Sequence, residues 1–211
     1  MMLEPREARF VRHEPELGAI GVLCADRALL APTVELTLGL GPDASVFLMD
    51  DAVEELANPR LASLLDAGHD LLYCATDAEA RGAGEPLPGV RPGSQYDHAR
   101  MVRDATRFIA LTGGPRVDDH RPTGRRVRTV RVELTRAADH PKSAQALRTA
   151  VGYVGAGLRV CVALSTAATR LTEAHSQMSA AVARALSTLR ALDHLVVPVD
   201  RAPSCDLVVT W

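Results

Sequence analysis

Aromatic side chains are scarce in this chain: Phe, Tyr and Trp make up 3% of its 211 residues. A core with so few of them rests on Ala, Val and Leu, and gains many small contacts in place of large anchors. Lysine occurs once, at Lys142, and arginine supplies the remaining positive charge, a bias we read as coding usage. The four cysteines, Cys24, Cys74, Cys161 and Cys205, show no CxxC spacing. They read neither as a zinc site nor as a disulfide framework, and no metal or cofactor is expected. No apolar run approaches the length of a membrane span. The charged stretch MMLEPREARFVRHEPELG lacks the apolar centre of a secretory signal. A reducing cytoplasm is the expected compartment. The formal net charge of −2 gives no global pull toward nucleic acid or an anionic membrane.

Apolar residues form 47% of the chain and charged residues 24%, ordinary values for a globular protein. Short apolar runs at Ala19–Cys24, Ala44–Met49, Asp70–Cys74 and Phe108–Leu111 alternate with helical segments. One helix follows Asp26 and stops at Gly39–Gly41, one covers 59–67 behind an Asn58–Pro59 start, and one is capped by Ser94. This alternation, with nearly continuous apolar strands, is the pattern of a parallel sheet covered by helices. Residues 113–126 read as a linker rich in glycine, proline and charge, with its DDH run a solvated turn rather than a metal site. Arginines 121, 125, 126, 128 and 131 make a local basic patch, most simply a solvated face. The second half, 127–211, follows the same plan. Strands are expected at 127–134, 160–164, 195–199 and 206–211, with helices at 141–154 and 169–192, Met178 lying on the apolar stripe of the latter. The expected class is α/β, two three-layer α/β/α units related by internal duplication: 1–112, then the linker, then 127–211.

The stretch HDLLYCATDAEARG, 69–82, carries the chemistry. Cys74 ends a strand just ahead of a small helix, for which Thr76 and Glu79 have capping-box spacing. Helix N-terminal amides favour a thiolate, and Arg81 adds a positive charge one turn on. The competing reading is a buried, inert strand-end cysteine. Asp77 and Glu79 act against a thiolate, because negative charge raises a thiol pKa. In the second half Val199 stands where the first has Cys74, so any chemistry belongs to one half. Cys24 and Cys74 both end strands, which leaves a disulfide between them open. Asp50 and Asp51 read as a helix start, His69 as too far along the strand to serve as a base, and His98 as a solvated helix position.

VFLMDDAV, followed by LLYCATDAEARG and GSQYDHARMVRDATRFIAL, resembles the DsrE/DsrF-like family with its TusD-type sulfur-relay subunits. Cys74, Ala75, Ala78, Arg81 and Gly82 match that family's motif in order and spacing. The resemblance covers about 19–112 well and 127–211 in outline, through HPKSAQALRTAVGYVGAGLRVCVAL. It implies a sulfur carrier or sulfurtransferase in which Cys74 accepts a sulfane sulfur as a persulfide. Arg81 and the backbone at Ala75, Thr76 and Gly82 would hold the charged sulfur, and the 83–93 loop would gate access. It also implies a protein sulfur donor or acceptor and homo-oligomers of the fused pair. The weak basic character argues against nucleic acid as a partner. The alternatives are a non-catalytic assembly or regulatory module and a thiol redox protein.

Overall fold

The computed structural model describes residues 19–114, 117–120, 127–137, 140–169 and 180–211. The N-terminal lead-in, Arg121, Arg125, Arg126 and Met178 lie outside the described residues.

The first half builds a six-stranded sheet from β1 (Ile20–Cys24), β2 (Ala44–Leu48), β3 (Asp70–Cys74), β4 (Arg91–Gly93), β5 (Arg107–Leu111) and β6 (Asp118–His120). Its order is β4-β3-β2-β1-β5-β6, parallel except for β6. The chain is an α/β protein, as its strand pattern indicates. Helices α1 (Leu30–Leu38), α2 (Arg60–Asp66), α3 (Ala75–Arg81) and α4 (Gln95–Asp104) connect the strands. Alternate side chains sort the sheet into two faces. Val22, Cys24, Val46, Leu48, Leu71 and Ile109 pack against residues of α1 and α2. Leu23, Phe47, Leu72, Cys74, Phe108 and Ala110 face α4. α4 starts with a full capping box, Ser94 and Asp97 exchanging side-chain and backbone bonds. It runs close over β1, where a Cβ on Gly21 would stand 2.8 Å from Phe108 and 2.9 Å from Met101.

The second half forms a four-stranded parallel sheet, order β10-β7-β8-β9, from β7 (Thr129–Leu134), β8 (Arg159–Leu164), β9 (Leu195–Pro198) and β10 (Leu207–Thr210). Its first, second, third and last strands stand in the same order as β1, β2, β3 and β5 of the first sheet. α5 (Pro141–Gly155) and α6 (Ala180–Ala191) share a core with one face of this sheet, through Ala146, Leu147, Ala150, Tyr153, Leu186 and Leu189.

α5 also packs on α4. One apolar core therefore runs from the inner face of the first sheet, through α4 and α5, to the inner face of the second. Gly152 permits that approach, since a Cβ there would lie 3.0 Å from the Gln95 Cβ.

Two expectations change here. The DDH run is a sheet strand, not a solvated turn: β6 pairs with β5, and buried Asp118 accepts the Thr210 amide at the edge of the second sheet. His98 is not solvated. It is 0% exposed and lies 5.2 to 5.9 Å from the rings of Phe47, Phe108 and Tyr153. It falls on the apolar side of α4 because Ala99, Met101 and Val102 turn the same side into the sheet.

Candidate functional site

α5 lies over the carboxyl ends of β1, β2 and β3, where ligands of parallel sheets collect. β3 passes into α3 without a turn. Cys74 is at once the last strand residue, in register with Gly93, and the N-cap of α3, with φ −70° and ψ 105°. The helix thus starts one residue before Thr76, and the expected cap at Thr76 does not form; Ala75 and Thr76 are exposed in the first turn. Gly82 ends α3 in the left-handed conformation, φ 61°.

The Cys74 side chain points inward and is 0% exposed. Two N–H groups approach its sulfur. Arg148 of α5 donates at 3.6 Å, and Gln95 at the start of α4 donates at 3.8 Å. Arg148 also pairs with Asp77, whose carboxylate accepts from Gln145 Nε2 at 3.1 Å and from the Asp50 amide at 2.9 Å. Burial first, and the Asp77 carboxylate second, push the Cys74 thiol above its ordinary value. The Asp77 backbone amide and the Arg148 charge act in the opposite direction without cancelling them. The thiolate-favouring environment expected from the helix terminus is therefore reversed. α3 has only seven residues, and the chain around it removes water from the sulfur.

Beside this thiol lies a second polar cluster. Lys142 is 8% exposed, and its ammonium donates to the Ala25 carbonyl at 2.6 Å. It stands 3.4 Å from both Asp50 and Asp26, and 3.7 Å from Asp51. Asp50 has φ 53°, an uncommon conformation for a residue with a side chain. That turn points its amide at Asp77 while its carboxylate meets Arg81 and Lys142. Burial raises the Asp50 pKa, against the pull of Lys142 and Arg81. Asp50 and Asp51 do begin a short helical turn, residues 50–55.

The residues singled out from sequence are not all brought to the sulfur. Arg81 bonds Asp50 and, at 3.0 Å, Glu54, and Arg148 takes the place at Cys74 expected of it. The 83–93 loop does not cover Cys74. Leu87 and Val90 pack with the α1–α2 face, Leu87 bonds Leu56 at 3.0 Å, and the loop ends as β4. A Cys24–Cys74 disulfide is excluded by topology: β2 separates the two strands, and the two side chains lie on opposite faces. His69 bonds the Ala44 carbonyl at 3.2 Å, away from the site. Lys142, Gln145 and Arg148 were not singled out as site residues, although their i, i+3, i+6 spacing marks one polar stripe on a largely apolar helix.

An open cleft of about 520 Å³ adjoins the thiol, lined by Asp50, Asp77, Arg81, Gln145, Arg148 and Arg184 among others. Arg148 touches both the cleft and the sulfur. Among the described residues no His, Cys, Asp and Glu cluster is arranged to hold a metal, and no helix is long and apolar enough to cross a membrane. No protein-family model matches the chain, and no curated protein gives a significant match.

Proposed function

We propose that the chain is a DsrE-like sulfur carrier, a sulfurtransferase subunit with Cys74 as the acceptor, and that the arrangement described is its closed form. The supporting observation is the pair of N–H donors on the Cys74 sulfur, one of which also lines the cleft. Charge-assisted donors stabilise a thiolate or a terminal persulfide anion once the thiol deprotonates. In the open form the Cys74 thiolate attacks the outer sulfur of a donor persulfide, and the donor leaves as a thiolate. A thiolate on the acceptor protein then attacks the outer sulfur of the Cys74 persulfide and regenerates the Cys74 thiolate. Arg81, Ala75, Thr76 and Gly82 frame the entrance in this reading. The shared strand order of the two sheets supports a duplication. Homo-oligomers of the fused pair, acting in the cytoplasm, complete the proposal.

A second reading is favoured by the full burial of Cys74 and its raised thiol pKa: a non-catalytic assembly or regulatory module built on the same fold. Intact mass after exposure to a persulfide donor separates them. The carrier gains one sulfur and Cys74→Ser does not. Absence of the gain in the wild type, with partner binding unchanged in Cys74→Ser, selects the module.

A further inference from the structure

β9 and β10 lie on opposite edges of the second sheet and run in the same direction. The chain must therefore return from the carboxyl end of one edge to the amino end of the other. It does so in eight residues, 199–206, with no helix beyond a single turn at Val199–Arg201. α5 and α6 hold the inner face through Val130, Val132, Val160 and Val162, which leaves this segment to the outer face. Arg131 and Cys161 are register partners on that outer face, and Arg131 donates to the Pro203 carbonyl at 3.4 Å. Asp206 fixes the end of the crossover by accepting the Arg128 and Thr129 amides at 2.9 and 2.8 Å.

This route carries Cys205 toward Cys161. Both line one cavity of about 260 Å³, with His194, Pro203 and Ser204 among its other walls. Each feels the Arg131 charge, and Cys205 acts electrostatically on Cys161. Cys161 is buried and Cys205 is half-buried, so one thiol faces the medium and the other waits behind it. Pro203 and Ser204 are exposed and lie outside any strand ladder, so the segment is free to adjust to the geometry of a bond.

We propose that Cys161 and Cys205 form a redox dithiol that a low-molecular-weight disulfide closes into an intramolecular disulfide, pinning the crossover to β8. The Cys205 thiolate attacks one sulfur of the small disulfide, forms a mixed disulfide and expels one small thiolate. The Cys161 thiolate then attacks the Cys205 sulfur and expels the second. Two protein thiols are oxidised, and one small disulfide is reduced to two thiols. Burial pushes both protein thiols up, Cys161 to about 11, while Arg131 pulls both down. Closure is therefore faster at pH 9 than at pH 7, and slower in Arg131→Met.

The test treats the full chain with oxidised glutathione at both pH values, followed by acid quench, intact mass and peptide mapping. The expected product has lost two hydrogens and yields a Cys161–Cys205 cross-linked peptide. Cys161→Ala instead stops with one glutathione on Cys205, and Cys205→Ala, a change on the exposed segment, neither closes nor retains glutathione on Cys161. Cys74→Ser closes like the wild type, which keeps this outcome separate from that of the persulfide experiment. A stable glutathione adduct on the wild type, a cross-link through Cys24 or Cys74, or no reaction at either pH overturns the proposal.

Discussion

β3 and β9 are third strands of two sheets with the same order, yet they end differently. β3 passes at Cys74 into a capped-off helix, α3, whose first turn sets Asp77 beneath α5. β9 ends at Pro198, followed by one short turn and the bare crossover. The presence of that helix after β3 and its absence after β9 have a consequence at each end of the molecule. On the first sheet, helices cover both faces and the polar groups at the strand ends are buried. On the second, among the described residues, the outer face meets an extended segment that brings Cys205 toward Cys161 of β8. The second half contributes to the first half's site chiefly through α5, as Lys142, Gln145 and Arg148, with Arg184 of α6 on the cleft wall. The same frame thus serves once as the floor of a site and once as its roof.

The largest test of that division removes the cation from its carboxylates. Lys142→Ala leaves Asp26, Asp50 and Asp51 around an empty position, and breaking a buried ionic cluster of this kind costs about 3–5 kcal/mol. Denaturant unfolding measures it; a loss under about 1 kcal/mol would mean that α5 docks through its apolar side alone. A compact ammonium with three donors suits a site made of a carbonyl and a ring of carboxylates.

His98, between the halves, gives a pH-dependent test. Burial lowers its pKa from 6.5 to about 3. Its neutral form is held in the folded state while the unfolded chain takes a proton below pH 6.5. The His98 contribution to stability is therefore fully present above 6.5 and is lost at about 1.4 kcal/mol per pH unit as pH drops toward 3. His98→Phe should flatten that part of the profile relative to the wild type; an unchanged slope would assign acid sensitivity to other groups.

Gly152→Ala probes the α4–α5 approach at the Gln95 contact. Overpacking there costs about 1–3 kcal/mol and shifts Gln95 from the sulfur, so thermal unfolding and the Cys74 alkylation rate should change together. The smallest effect is expected from Arg148→Ala. The change uncovers the thiol from the cleft but also removes a charge that favours the thiolate, so at a pH where Cys74 is ionised in both proteins its alkylation should rise by about tenfold, or roughly 1.4 kcal/mol of local opening. An unchanged rate would place the way to Cys74 elsewhere than through Arg148.

The strand pattern and helix order were legible because every strand but β4 and β6 is a short, mainly apolar run. The register of Cys74 at a strand end was legible for the same reason. Its surroundings were not. Arg148 and Gln145 lie about seventy positions away in sequence, and only the packing of α5 on α4 brings them to Asp77. Arg81 had a suitable spacing, but Asp50, turned by its positive φ, intercepts it. β6 escaped notice because three polar residues carry no alternation, and its pairing is fixed by β5 and Asp118 rather than by propensity.

β6 and β10 also bring one edge of each sheet together, through Asp118 and Thr210. The outer edges that remain are β4, three residues with Pro92 at its centre, and β9, four residues ending in Pro198. Proline has no N–H to offer an incoming strand, and such short edges are poor templates. Among the described residues, the sheet edges thus disfavour extension of copies of this chain into a continuous sheet. An assembly of copies is then expected to be held by side chains, and to dissolve with changes to surface residues while each copy stays folded.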